Sequence, residues 1–321
     1  MNGVVDELGR PDGNRPLNKG EKELLRRQLN EAIEAGAFGM SVGLDYKPGI
    51  FSGTEELVEM AGEMKPHDGI YFAHWRKTGL RAGTPKKQKK IDWVIETLEV
   101  GLRNDIQVQV SHLSSGYDIF PSDDDAMQAA AASRTLDHID DYVGRGVRAY
   151  FDVIPNITGG TMIAPFAASL FKPWIYKTNG LTNFLHCIRH PDYRAEIASV
   201  INRGGYFILN PAVMPDWDEG IRVIECENRE LEGLRLADIA KKRNTSSLDA
   251  LFDLLLGDRY AKIFRATHSM NLHAVKTFLA HPLATVGNDT FVFDDQSTVG
   301  FDPERPATRP NPNTYCGFVK F

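Results

Sequence analysis

Residues 106–116 read IQVQVSHLSSG, and the fold turns on them. Ile106, Val108 and Val110 alternate with Gln107 and Gln109, the period-two pattern of a β-strand, and the run then stops at Ser111-His112 before a Leu-Ser-Ser-Gly break. A strand that ends in His112 delivers an imidazole to the rim of a sheet, where the next loop leaves room for a ligand. Gly69–Arg76, GIYFAHWR, does the same with His74, and the helical stretch Pro85–Arg103 lies between the two. Parallel strands joined by a helical crossover put both histidines at the same, carboxyl-terminal edge. That is the edge where α/β folds keep their chemistry.

Working outward, Glu21–Ala35 places its leucines, Ala32 and Ile33 at helical spacing, with Gly36 as a stop. Gly36–Leu44 reads as a short buried strand, and Thr54 as the cap of a helix over Glu55–Met64, in capping-box form. Downstream of His112, Asp123–Gly144 is an Ala-rich helix and Val147–Pro155 another strand. This α–β–α–β–α–β–α–β order predicts a parallel sheet or barrel. Past Pro155 the regularity loosens: the stretch through Tyr176 reads as an apolar loop, the composition of a lid. Helices are expected at Tyr193–Arg203, Leu234–Arg243, Ser247–Leu256 and His273–Ala280, and a short strand at Tyr206–Asn210. Ala284–Thr290 is a final strand with Asp289 at its end. The domain reading is a polar lead-in over 1–20, a barrel-type domain over 21–300 with an insertion at about 156–265, and a Pro- and Asn-rich loop segment over 301–321.

The 321 residues are 42% hydrophobic and 25% charged, enough for one large core or two modest ones. A formal charge of −6 argues against a nucleic-acid footprint. The Lys-rich run Pro85–Lys90 reads as the solvated start of a helix. Three cysteines, Cys187, Cys226 and Cys316, are far apart and form no CxxC, which supports neither a disulfide framework nor a Cys-only zinc site. Such thiols fit a reducing compartment. No apolar run approaches the roughly 20 residues that span a bilayer, and the N-terminus lacks a signal-peptide pattern. A cytoplasmic protein without membrane or nucleic-acid partners is expected.

Two strand-end histidines and a strand-end aspartate converge if the sheet curls into a barrel. Imidazole nitrogens suit a divalent ion such as Zn²⁺, and a carboxylate beside a metal-bound water can take its proton. That combination hydrolyses amides or esters. Each group also has a plainer reading: a hydrogen-bonded structural histidine, or an Asp that caps a turn. His186 and His190 stand one helical turn apart, but no Glu follows the first, so the pattern is not HExxH. His138 and His67 read as solvent-facing, and His281-Pro282 as a helix stop. Neither a P-loop nor a GxGxxG occurs.

Taken in order, GAFGMSVGLDYKPGIFSGTEELVEMAG, YFAHWR, VQVSHL, the strand ending FDVIP with GGT after it, HPLATVGND and NPNTYCGF resemble the N-acyl-D-amino-acid deacylase (D-aminoacylase) branch of the amidohydrolase superfamily. The resemblance runs from about residue 20 to the C-terminus, with a less similar middle over 160–265. It implies a metal-dependent (β/α)8 barrel that cleaves an amide. This chain would hold the equivalents of strands 4–8, an incomplete, N-terminally truncated barrel. By position, His74 and His112 match the family's metal histidines on the fifth and sixth strands, and Asp289 the catalytic aspartate on the eighth.

The departures are specific. The chain has no HxH pair, which the family carries on its first strand. Ser114 stands where the family often has a substrate-binding lysine, and Ile154 and Asn156 replace the tyrosines of the seventh-strand turn. Asn311-Pro312-Asn313 replaces His-Pro-Arg, and Asn288 and Thr290 flank the aspartate instead of Ser and Gly. The expected reaction is hydrolysis of a linear amide C–N bond in a small N-acyl amino acid, with a divalent metal, zinc by preference. His74 and His112 would hold the metal, Asp289 would move the proton, and Arg76 and Ser114 would bind substrate. Five strands of an eight-stranded barrel leave open edges and apolar faces, so a second chain or a homo-oligomer is expected to complete the fold. The alternative is a non-catalytic half-barrel that serves as scaffold or binding subunit.

Overall fold

The computed structural model describes residues 16–45, 49–77, 89–119, 124–155, 158–163, 171–202, 217–258, 261–266 and 270–287. Its elements begin α1 (Lys19–Glu34), β1 (Gly39–Gly43), α2 (Thr54–Ala61), β2 (Ile70–His74), α3 (Lys90–Asn104), β3 (Gln107–Val110), α4 (Asp125–Gly144) and β4 (Ala149–Val153). They continue with β5 (Thr158–Ile163), α5 (Lys172–Lys177), α6 (Leu181–Cys187), α7 (Pro191–Asn202), β6 (Ile221–Glu225), α8 (Leu236–Arg243), α9 (Ser247–Gly257), β7 (Lys262–Ala266), α10 (Leu272–Leu279) and β8 (Ala284–Val286).

The chain divides into two compact units, the first built from described residues up to 155 and from 270 to 287. Its sheet is wholly parallel, in the order β1-β2-β3-β4-β8. Strict alternation decides its two faces. Met40, Val42, Tyr71, Ala73, Val108, Val110, Ala149, Phe151 and Val153 are all buried, and they share one core with Leu57 and Met60 of α2, Val94 and Leu98 of α3, Leu136 and Ile139 of α4, and Val275 and Phe278 of α10. The opposite face carries Phe72 and Tyr150, 41% and 40% exposed, together with Gln107 and Gln109. Among the described residues the sheet does not close, as an incomplete barrel requires.

Helix ends follow local chemistry, with two corrections to the sequence reading. Asn18 caps α1 and forms a capping box with Glu21. Thr54, however, is not a cap. Gly53 holds that position, and the Thr54 hydroxyl donates instead to Glu96 Oε1 at 2.6 Å. Nor is the start of α3 fully solvated: Lys90 is buried and ion-paired with Asp118, whose carboxylate offsets the cost of enclosing the ammonium.

The second unit, described residues 158–266, has its own core around Phe171, Phe184, Phe252, Leu251 and Val223. Its three strands are antiparallel, in the order β5-β7-β6. Strand Thr158–Ile163 and helix Lys172–Lys177 replace part of the loop expected after Pro155. The strand expected at Tyr206–Asn210 lies outside the described residues. Among the described residues no helix is long and apolar enough to cross a membrane.

Candidate functional site

His74 is the last residue of β2, and His112 follows β3 by two residues. The neighbouring strands bring their rings edge to face, centroids 4.4 Å apart at 78°. His112 takes a left-handed backbone, φ 36°, uncommon outside glycine and tolerated when surroundings fix it. Asp152 of β4 does the fixing. Its Oδ1 accepts from the His112 amide at 2.7 Å, and its carbonyl accepts from the Leu113 amide, also at 2.7 Å. Gln109 Nε2 donates to the other carboxylate oxygen at 3.1 Å. Gly287, just past β8, leaves Asp152 its place, since a Cβ there would sit 2.3 Å from Asp152 Oδ1.

Two charged side chains flank the imidazoles. Asp45, two residues beyond β1, is 1% exposed and holds Oδ2 3.4 Å from His74 Nε2. On the other side, Lys77 Nζ lies 3.2 Å from His112 Nδ1. An ammonium has hydrogens to give and no lone pair, so Nδ1 is the acceptor. Burial pushes His112 down to about 2, helped by the positive field of Lys77 and by His74, and the ring is neutral at physiological pH.

Arg76 does not do what its position suggested. It is wholly buried, and its guanidinium is spent inside the protein. Nε donates to Glu96 Oε2 at 3.1 Å, one terminal nitrogen to the carbonyls of Leu44 (3.1 Å) and Ile50 (3.2 Å), and the other to that of Ser52 at 2.6 Å. The guanidinium also lies 5.2 Å from the Trp93 ring centroid. Arg76 thus ties the end of β2 to α3 and to the loop after β1, the loop that carries Asp45. In this arrangement it offers nothing to a ligand.

Ser114, four residues past β3, is 5% exposed. Asp289 lies outside the described residues, as do Asn288, Thr290 and the Asn311-Pro312-Asn313 stretch. His138 is engaged rather than free in water, 3.1 Å from the Tyr117 hydroxyl. His281 pairs with Asp140 at 3.2 Å and packs against Phe151. Of the proposed site, then, His74 and His112 come together and Arg76 turns away. Asp45, Lys77 and Asp152 were missed. Only Asp45 carried a signal, being a polar residue just past a strand end like the two histidines.

The donor chemistry of the rim, two imidazoles and a carboxylate, is of the kind that suits zinc. The set is incomplete. Among the described residues, no three His, Cys, Asp or Glu side chains are grouped so as to hold a metal ion.

A D-aminoacylase from Alcaligenes xylosoxydans xylosoxydans is 31% identical over 102 residues, 32% of this chain and 19% of that protein. An N-acyl-D-glutamate deacylase from the same organism is 28% identical over 145 residues, 45% of this chain and 26% of the relative. The curated relatives are D-aminoacylases. The chain spans about a fifth to a quarter of their length in the matched regions. No family model matches the sequence. Among solved structures, the D-aminoacylase-like fold is seen in the N-acyl-D-glutamate deacylase of Bordetella bronchiseptica, solved with zinc and a phosphonate inhibitor. The TM-score there is 0.51 at 21% identity, over 87% of this chain and 44% of that one. A D-aminoacylase described as defining a novel subset of amidohydrolases gives 0.50 at 18% identity, over 95% and 47%. At these identities the likeness establishes the fold alone, a parallel α/β barrel in part.

Proposed function

We propose that this chain carries part of a metal-dependent amidohydrolase centre, acting on the linear amide bond of a small N-acyl-D-amino acid. One observation carries the reading: two imidazoles from adjacent parallel strands meet edge to face at the carboxyl-terminal edge of the sheet, with ring centroids 4.4 Å apart. The sequence relationship to D-aminoacylases supplies the reaction class. In this reading His74 and His112 are metal ligands, zinc being the preferred ion. A bound zinc ion supplies Lewis-acid polarisation of the amide carbonyl and an acidified water. Asp289 is proposed as the proton-transfer carboxylate, a role that rests on the resemblance alone. Ser114 is proposed to meet substrate, which requires its rim loop to open.

The protein's own residues do the positioning. Asp152 pins the backbone under His112, the Arg76–Glu96 pair anchors the loop that carries Asp45, and Asp45 faces His74. Two imidazoles, even with the Asp45 carboxylate beside His74, leave a tetrahedral ion short of ligands, so the remaining donors come from a second chain, a second copy, or residues beyond the described ones. The half-exposed Phe72 and Tyr150 on the open sheet face support such a partner. A cytoplasmic setting is supported by the free thiols of Cys187 and Cys226.

The test is zinc content and hydrolysis of a panel of N-acyl-D-amino acids, measured on wild type, His74→Ala and His112→Ala. Loss of bound zinc and of activity in both variants is expected; unchanged zinc in both overturns the assignment. The second reading, a non-catalytic half-barrel, is favoured by the internal use of Arg76 and by the incomplete donor set. A stable monomer that neither takes up zinc nor turns over substrate would establish it.

A further inference from the structure

Helix α1 is fastened to its unit differently from α3 and α4. α3 buries nine of its fifteen residues and α4 seven of its twenty. α1 buries one of sixteen, Ile33, with Leu25 and Leu29 partly buried along the same stripe. Charge supplies much of the remaining attachment. Arg26 donates to Glu59 of α2 at 2.9 Å and to Glu63 of the 3₁₀ turn Gly62–His67 at 2.7 Å. Lys22 reaches Glu59 at 2.6 Å and Asn30 reaches Glu63 at 3.1 Å. Ahead of the helix, the Leu17 amide donates to Glu56 at 2.8 Å. The side chains of Lys22, Arg26, Glu59 and Glu63 are a quarter to two-fifths exposed, so dissolved ions reach these pairs and screen them.

The far end of the helix has a joint. Residues 34–37, which lead from α1 towards β1, are all exposed. Among them Gly36 takes φ 103°, with nothing within 4 Å of where a Cβ would sit. No packed side chain resists movement there, and glycine tolerates the backbone change.

We propose that α1 is a strap held by a charge latch: it leaves the unit as one piece about Gly36, ahead of global unfolding, and the pairs of Arg26 and Lys22 with Glu59 and Glu63 set how often it does so. Opening uncovers the part of the core that Leu25, Leu29 and Ile33 seal, and rising ionic strength favours it. Nothing in it depends on a metal at the sheet edge. A detached helix of this length is marginal in water, so its amides exchange when it opens.

The test is amide hydrogen exchange on the full chain, resolved by residue with NMR, at roughly 0.05 M and 1 M NaCl. That change shortens the screening length from over 10 Å to about 3 Å, and the amides of β2 and β3 serve as internal reference. Residues 23–33 should share one protection factor, lower than that of the two strands. It should fall about tenfold at high salt, the scale of a few part-exposed ion pairs acting together. Arg26→Met keeps helix propensity but drops the latch, and should show that fall already at low salt with little further response. Arg26→Lys keeps the charge and should stay nearer wild type.

Protection graded from Lys19 inward would show end fraying in place of release, and overturns the proposal. So does protection that matches the strands and ignores salt, or an Arg26→Met variant that exchanges like wild type.

Discussion

Replacing Arg76 with methionine should damage the fold, not the binding of a ligand. The substitution leaves Glu96, 4% exposed, as a buried carboxylate without its guanidinium partner, still accepting from the Thr54 hydroxyl. It also strips donors from the carbonyls of Leu44, Ile50 and Ser52, which accept from Arg76 at 3.1, 3.2 and 2.6 Å. Breaking a buried pair from one side costs about 3–5 kcal/mol, a large share of the 5–15 kcal/mol that holds a typical domain together. With a urea slope of roughly 2 kcal/mol per molar, the midpoint falls by about 2 M. Tryptophan fluorescence reads this cleanly once Trp174 and Trp217 are changed to Phe, which leaves Trp75 and Trp93 in the affected core. Arg76→Met/Glu96→Leu should recover part of the loss, because no charge is then stranded. A midpoint within about 0.3 M of wild type for Arg76→Met, well short of the fall worked out above, with weakened substrate binding instead, would refute the reasoning and return Arg76 to the ligand.

Other consequences are as specific. Asp152→Ala removes the carboxylate that holds His112 at φ 36°; exchange of the His112 amide should accelerate at least tenfold, since a lost hydrogen bond to a charged group is worth about 1.5–3 kcal/mol, while the Leu113 amide keeps its main-chain acceptor, and unchanged protection of His112 would contradict the pinning. Gly287→Ala pushes a methyl onto the same carboxylate and should reproduce that exchange pattern in milder form, with zinc affinity falling alongside. Burial, then Asp258 and Glu232, holds the Cys226 thiol above its ordinary range. The unfolded chain therefore releases that proton first, so this thiol's contribution to stability is complete below about pH 8.5 and is lost as pH rises further. Iodoacetamide at pH 8 should label Cys187 ahead of Cys226, and equal rates would contradict the burial.

The parts of this architecture written most openly in the sequence are those with a period. IQVQV and GIYFA alternate, and their buried and open faces follow the alternation residue by residue. Their histidines meet because parallel neighbours end at the same edge. Arg76 was not legible, because an arginine two residues past a strand-end histidine looks the same whether it faces solvent or turns back under the sheet. Only Glu96, a full crossover helix away, decides which. Lys77 and Asp152 were hidden for a like reason, since each acts on His112 from another strand. In Thr54 a local rule lost to a tertiary one, the hydroxyl being claimed by Glu96 before it could cap its own helix. The strand Thr158–Ile163 escaped notice because its paired glycines mask the β pattern and its partner β7 lies about a hundred residues on.

The central claim is that His74 and His112 are donors to one metal ion. X-ray absorption at the zinc edge, on full chain loaded with one equivalent of Zn²⁺, tests it most directly. At least two imidazole nitrogens at about 2.0–2.1 Å are expected in wild type, falling by one in each of His74→Ala and His112→Ala. A shell of oxygen donors only, or one indifferent to both substitutions, would contradict it.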